Sequence, residues 1–212
     1  MRPATPADVP AEIVLRNLVS LASLQQVRPL AERGTMVHAV EVFFDSTTEA
    51  AIKAVWARLE AAGVPSLATR THRRHRPHIS LSVAERIKTG QLQDARERLA
   101  ATHLDVTLYS PAIFPRRGVL YLSVVPTLAL LRLHEDIHVA LQDSLVAPWD
   151  LYSVGAWVPH CTLAQELTRA QIAQGIDLLH DQPTIAAHVS SAGILDTATG
   201  EVLPLAVLRS HR

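Results

Sequence analysis

Two short segments of this chain, Pro77-His78-Ile79-Ser80-Leu81 and Pro159-His160-Cys161-Thr162-Leu163, share the pattern Pro-His-x-Ser/Thr-Leu. In an extended strand residues i and i+2 point to the same face, so each copy presents an imidazole beside a hydroxyl. Histidine, with an ordinary pKa of about 6.5, gives or takes a proton near neutral pH. Two such pairs facing one another across a cleft supply a general base, a general acid and two hydroxyl donors for phosphate oxygens. That set suffices to open or close a phosphodiester without a metal ion. A third triplet, His188-Val189-Ser190, lacks both the proline and the leucine and reads as a strand histidine with a polar neighbour.

The elements that must position these residues follow from periodicity. Residues 11–33 read as a helix with Ile13, Val14, Leu18, Leu21, Leu24 and Val27 as its apolar positions, ended or bent at Pro29. Residues 36–44 alternate as a strand. Asp45 or Ser46 can cap a helix running to residue 62, closed by Gly63. Residues 76–83 form the first motif strand, 91–101 a helix and 104–109 a strand. A hairpin over 113–125 turns at Arg116-Arg117-Gly118. Residues 128–145 form an amphipathic helix with Leu130, Leu133, Ile137 and Leu141 on one face. The second motif strand spans 156–163, Thr168 caps a helix to residue 179, and 184–195 pairs with 202–208 across Thr199-Gly200. Local hairpins outnumber crossovers, which predicts an α+β fold with largely antiparallel sheets. The expected architecture is bilobal: two antiparallel sheets flanked by helices, related by a pseudo-two-fold, around a central cleft where the motifs meet. Residues 1–35 then form an N-terminal helical extension and 36–212 the bilobal domain.

Composition narrows the class. With 212 residues and 48% hydrophobic content, the chain can bury an ample core, and only 4% aromatics makes that core Leu, Val, Ile and Ala. Twenty basic residues balance 20 acidic ones, so any phosphate-binding surface is local rather than a basic coat. The single cysteine, Cys161, cannot form an internal disulfide and points to a reducing compartment. In its strand it faces away from His160 and Thr162, as a small core residue. No apolar run approaches membrane length and no signal-peptide pattern opens the chain, so a cytoplasmic protein with no membrane association is expected.

On its two His-x-Ser/Thr strands the chain resembles the 2H phosphoesterase superfamily, specifically the bacterial 2′-5′ RNA ligase-like (cyclic phosphodiesterase) branch. The hairpin Phe114-Pro115-Arg116-Arg117-Gly118-Val119-Leu120-Tyr121-Leu122 looks like the family's segment between the motifs, and the resemblance covers about residues 36–208. It implies two sheets around a cleft with both histidines at its floor. It also implies activity on 2′,3′-cyclic phosphate or 2′-5′ linked ends of RNA or small nucleotides, with no cofactor or metal. Carried onto this chain, His78 and His160 would be acid and base, and Ser80 and Thr162 would bond the non-bridging oxygens. Arg117 aligns with an arginine common in that hairpin and is the expected phosphate contact. Arg76, in the basic run Arg70, Arg73, Arg74 and Arg76, is a second, and Tyr121 is a candidate for stacking on a base, as are Phe114, Trp149 and Trp157. RNA ends or small cyclic nucleotides are the expected partners, and no obligate protein partner is evident, so a monomer is expected.

Two other patterns compete. His134-Glu135-Asp136-Ile137-His138 spells the His-Glu-x-x-His of zinc peptidases on a helix, without a third ligand at a customary spacing. His72, His75 and His78 recur at threes, but Pro77 forbids the helix that would gather them on one face. A nucleotide- or RNA-end-binding module with the same cleft is the alternative from a different class. Two intact imidazoles argue against it, since a binder has no need of both.

Overall fold

A computed structural model describes residues 37–70 and 72–209. The expected helix over 11–33 lies outside the described residues. Strand β1 (His38–Phe44) leads into helix α1 (Ser46–Ala61), and β2 (His78–Ile87) carries the first motif. Then come α2 (Gln93–Ala101), β3 (Asp105–Phe114), β4 (Val119–Val124), α3 (Leu128–Leu141) and β5 (Leu145–Pro148). The second motif opens β6 (His160–Ala164), followed by α4 (Arg169–Leu179), β7 (Ile185–Asp196) and β8 (Val202–Val207).

Local chemistry sets the boundaries. Asp45 accepts from Thr48 N at 2.8 Å and starts α1, whose buried face is Thr48, Ile52, Val55, Trp56 and Leu59. Thr168 and Gln171 form a reciprocal capping box at the start of α4. Helix α3 is shorter than the expected 128–145. It ends at Leu141, and Leu145–Pro148 is instead a strand paired with Ala84, Arg86 and Ile87 of β2.

All strand pairs are antiparallel, in the order β5-β2-β1-β7-β3-β4-β6, with β8 added to β7. The fold is α+β, as the sequence implies. The two sheets form one path because β7 belongs to both: residues 185–188 pair with β3, and from Val189 onward the strand pairs with β1. Among the described residues the path ends at β5 and β6 and does not close.

The two halves repeat one topology. A strand (β1 or β4) runs into a helix (α1 or α3), and the chain returns as a motif strand (β2 or β6) beside the first. Phe43 faces His78 in one half as Ser123 faces His160 in the other. Alternation then sorts the faces. Val40, Val42, Phe44, Ile79 and Leu81 enter the main core, as do Leu120, Leu122, Val124, Cys161 and Leu163. Glu41, Ser80, Tyr121 and Thr162 occupy the alternate positions, on the face that bears the motif histidines. Each buried Leu or Ile contributes ~1.5–3 kcal/mol, so a one-residue slip of either motif strand would invert its whole apolar set.

Candidate active site

Strands β2 and β6 both begin at a motif histidine, directly after a proline. The residue before proline is held extended, and proline brings no N–H of its own. Arg76 and Val158 therefore turn their carbonyls toward the imidazole two residues on. His78 Nδ1 lies 2.7 Å from the Arg76 oxygen, and His160 Nδ1 lies 2.7 Å from the Val158 oxygen. A carbonyl only accepts, so each Nδ1 carries a hydrogen and donates it. Each neutral ring consequently keeps its lone pair on Nε2. The same tautomer is set twice by the same device.

The leucine of the motif also has a place. Ser80 faces Glu41 and Ser82 faces Val40, which leaves Leu81 as an extra residue in β2. Thr162 faces Tyr121 and Ala164 faces Leu120, which leaves Leu163 extra in β6. Both leucines are buried. Each motif thus ends in a β-bulge, a feature that bends a strand and re-aims its side chains.

Although β2 and β6 share no ladder, they lie against each other. Trp157 Nε1 donates to the Ser80 carbonyl at 3.0 Å, and the Cys161 thiol hydrogen-bonds to the His78 backbone. Burial pushes that thiol up to about 12, which leaves it an inert core group. Burial also pushes His160 down to about 4, against the Val158 bond, which raises it; charge on His78 lowers it further. His78 is lowered too, by burial, against the bond to Arg76. The two imidazoles are close enough to feel each other's proton.

The model of the 2′-5′ RNA ligase superfamily matches residues 45–201, a stretch containing both motifs. The chain belongs to that superfamily. Among solved structures it is similar to E. coli LigT complexed with NADP+, with 14% identity, a TM-score of 0.49, and coverage of 82% of this chain and 96% of that one. Kluyveromyces marxianus Usb1 with uridine monophosphate is also similar, with 13% identity, a TM-score of 0.42, and coverage of 81% and 99% respectively. No curated protein shows significant similarity to the chain.

Around the histidines of this superfamily member, the other expected residues divide. Tyr121 is buried, stacks on Phe114 with ring centroids 4.3 Å apart, and meets His160 edge-on at 5.3 Å. It walls the imidazole. Arg117, in the turn between β3 and β4, lies 5.9 Å over the Trp149 ring and near enough to Tyr152 to lower that phenol's pKa. The Arg76 guanidinium is instead held by Glu49 at 3.0 Å and lies over the Phe43 ring, so its contact with the site is the carbonyl that fixes His78. Arg70 pairs with Glu166 at 2.7 Å. The turn itself depends on Gly118, at φ +60°, where a Cβ would stand 2.5 Å from the Leu167 oxygen.

The competing motifs resolve differently. His134 is 3% exposed, lies flat on Trp157 at 4.0 Å, and donates from Nε2 to the Tyr152 carbonyl at 3.0 Å. It buttresses the indole that holds Ser80. Among the described residues no three His, Cys, Asp or Glu side chains stand together as metal ligands. The rings of His72 and His75 meet at a tilt, 4.2 Å apart, in the loop before β2, and His188 is paired with Asp105 at 2.6 Å. Among the described residues no helix is long and apolar enough to cross a membrane.

Three residues escaped the sequence reading: Glu41, Tyr152 and the tie made by Trp157. Glu41 is 2% exposed, with Oε1 3.2 Å from His78 Nε2. Burial pushes its carboxyl up to about 8, against a bond from Ser80. Tyr152 reaches the same Ser80 hydroxyl and is pushed up to about 12 by burial and then by Glu41. A lone acid in the apolar run His38-Ala39-Val40-Glu41-Val42-Phe43-Phe44 was a visible signal; nothing marked Tyr152.

Proposed function

We propose that this chain is a metal-independent phosphodiesterase acting on 2′,3′-cyclic phosphate or 2′-5′ linked ends of RNA or small nucleotides, by two-histidine general acid–base catalysis. The observation that carries this reading is the matched pair of imidazoles, each with Nδ1 tied to the carbonyl two residues back and a hydroxyl two residues on.

In hydrolysis of a cyclic phosphate, one neutral Nε2 takes a proton from water as the water oxygen bonds to phosphorus. The bond to one ribose oxygen breaks, that oxygen keeps the electron pair, and the other histidine supplies its proton from Nε2. Thr162 donates to a non-bridging oxygen as charge gathers there, Ser80 joins it by turning its hydroxyl from Glu41, and Arg117 contributes the positive charge. In ligation a ribose 5′-hydroxyl takes the place of water, giving its proton to the same base as its oxygen bonds to phosphorus and the 3′ oxygen leaves with the proton of the acid; cleavage of the 2′-5′ linkage runs those steps backward with the proton roles exchanged.

The test is turnover of 2′,3′-cyclic nucleotides and cyclic-phosphate-ended oligoribonucleotides, with and without a chelator. Activity that survives chelation and disappears in both His78→Ala and His160→Ala supports the reading. Tight binding of these ligands with no turnover would make the protein a binding module instead.

A further inference from the structure

The two halves match in topology, tautomer, hydroxyl and bulge, but they differ in the residue that stands opposite the motif hydroxyl. Opposite Thr162 stands Tyr121; opposite Ser80, at the equivalent position, stands Glu41. The difference falls on the reactive nitrogen. Glu41 Oε1 is 3.2 Å from His78 Nε2, whereas His160 is met by the rings of Phe114 and Tyr121.

The geometry restricts the protonation states. Nδ1 of His78 already donates to Arg76, so its Nε2 is a lone pair whenever the ring is neutral. A carboxylate facing a lone pair at that distance would be repelled, and in a buried setting strongly so. The contact is favourable only with one proton between the two groups: a carboxylic acid donating to Nε2, or an imidazolium N–H donating to a carboxylate. Both forms carry the same number of protons, so the pair titrates as a unit. Among the described residues Glu41 Oε2 is buried without a partner, which makes the Oε1 side its bonding side.

We propose that Glu41 is a positioning residue that keeps this proton on the His78 side of the site, making His78 the general acid and His160 the base in hydrolysis. The inference rests on the phosphodiesterase reading and deepens it. His160 Nε2 takes the proton of the attacking water as the P–O bond forms. The bond to the ribose oxygen breaks, and that oxygen takes the electron pair and the proton from His78 Nε2. His78 is left neutral beside the Glu41 carboxylate, and the proton gained by His160 returns to the pair through solvent. The groups that face this pair are Ser80 on β2, Cys161 and His160 on β6, Tyr152 after β5, and Arg117 through Tyr152; His75 feels the charge of His78 from the preceding loop.

Side-chain nitrogen NMR of the full chain, with labelled histidine, reads the proton directly. In the wild-type protein the proton shared by His78 Nε2 and Glu41 should persist, read at Nε2 as protonated or hydrogen-bonded nitrogen, to a pH at least one unit above that at which His160 loses its own. In Glu41→Gln, which preserves shape but cannot carry the proton, the His78 titration should move down by at least one unit while His160 stays in place. In turnover of a 2′,3′-cyclic nucleotide, Glu41→Gln should shift the alkaline limb of the kcat profile to lower pH and reduce kcat at least tenfold, with KM changed less than threefold. Should Glu41→Gln fail to fold, the order of the two titrations in the wild type still decides. His160 holding its proton to higher pH than His78, or a Glu41→Gln profile matching the wild type, overturns the assignment. An inactive wild type with the expected titration order would overturn the phosphodiesterase reading alone.

Discussion

Burial sets the working range of His160. With its pKa pushed down to about 4, it is a lone-pair base through the whole neutral range, and the acid limb of kcat/KM should fall near pH 4 rather than near the ordinary histidine value. Loss of either motif imidazole to alanine should reduce kcat by about 10²–10⁴-fold, the usual contribution of a positioned acid or base. Thr162→Val should cost about 10²-fold in kcat as one donor to the charged oxygens disappears, and Arg117→Ala should act mainly on KM. The same shifts act on stability. His75 and His160 are both pushed down to about 4, so folded-state stability is complete above about pH 6.5 and is lost as pH falls toward 4. Glu41 has the opposite sign: its carboxyl is raised to about 8, so its contribution, full below its unfolded value, is lost as pH rises through 8. Urea denaturation at pH 4.5, 6.5 and 9 should place the maximum at the middle value, and Glu41→Gln should be relatively more stable than the wild type at pH 9.

At the scale of elements, the site depends on β2 and β6 being held together without a shared ladder. Trp157 is the main tie, so Trp157→Phe should cost ~1–3 kcal/mol by leaving the buried Ser80 carbonyl unpaired, and should lower kcat by loosening the spacing of the imidazoles. Replacing a bulge leucine, Leu163→Ala, should cost ~2–5 kcal/mol. Both effects are read from denaturation midpoints. The motif strands and the caps at Asp45 and Thr168 were legible because their signals are local: proline, alternation, a capping residue. Strand β5 was not. Leu145 continues the apolar spacing of α3 from Leu141, and only a remote partner, β2, makes it a strand. Trp157 was legible as an aromatic but not as a donor to Ser80, since that bond joins residues far apart in the chain.

At the scale of the described fold, one shared strand does what a linker would do in a two-domain protein. Because β7 pairs with β3 and then with β1, the two halves and their histidines are held by a continuous hydrogen-bonded path. The formal net charge is zero, with 20 basic and 20 acidic residues, so binding of a short nucleotide should depend weakly on salt. KM for a 2′,3′-cyclic nucleotide should change less than about tenfold between 50 and 200 mM salt. We propose that residues 1–35 are an extension dispensable for chemistry, and a chain starting at Met36 should retain turnover.

Two Nε2 atoms addressing one phosphorus are the core of the proposed chemistry. The most direct measurement is a crystal structure of the full chain with a nucleoside 2′- or 3′-monophosphate. The phosphate should sit between the rings with both Nε2 atoms about 3 Å from its oxygens and both Nδ1 atoms still on the carbonyls of Arg76 and Val158. A phosphate bound away from either ring, or a histidine turned so that Nδ1 faces the ligand, would contradict it.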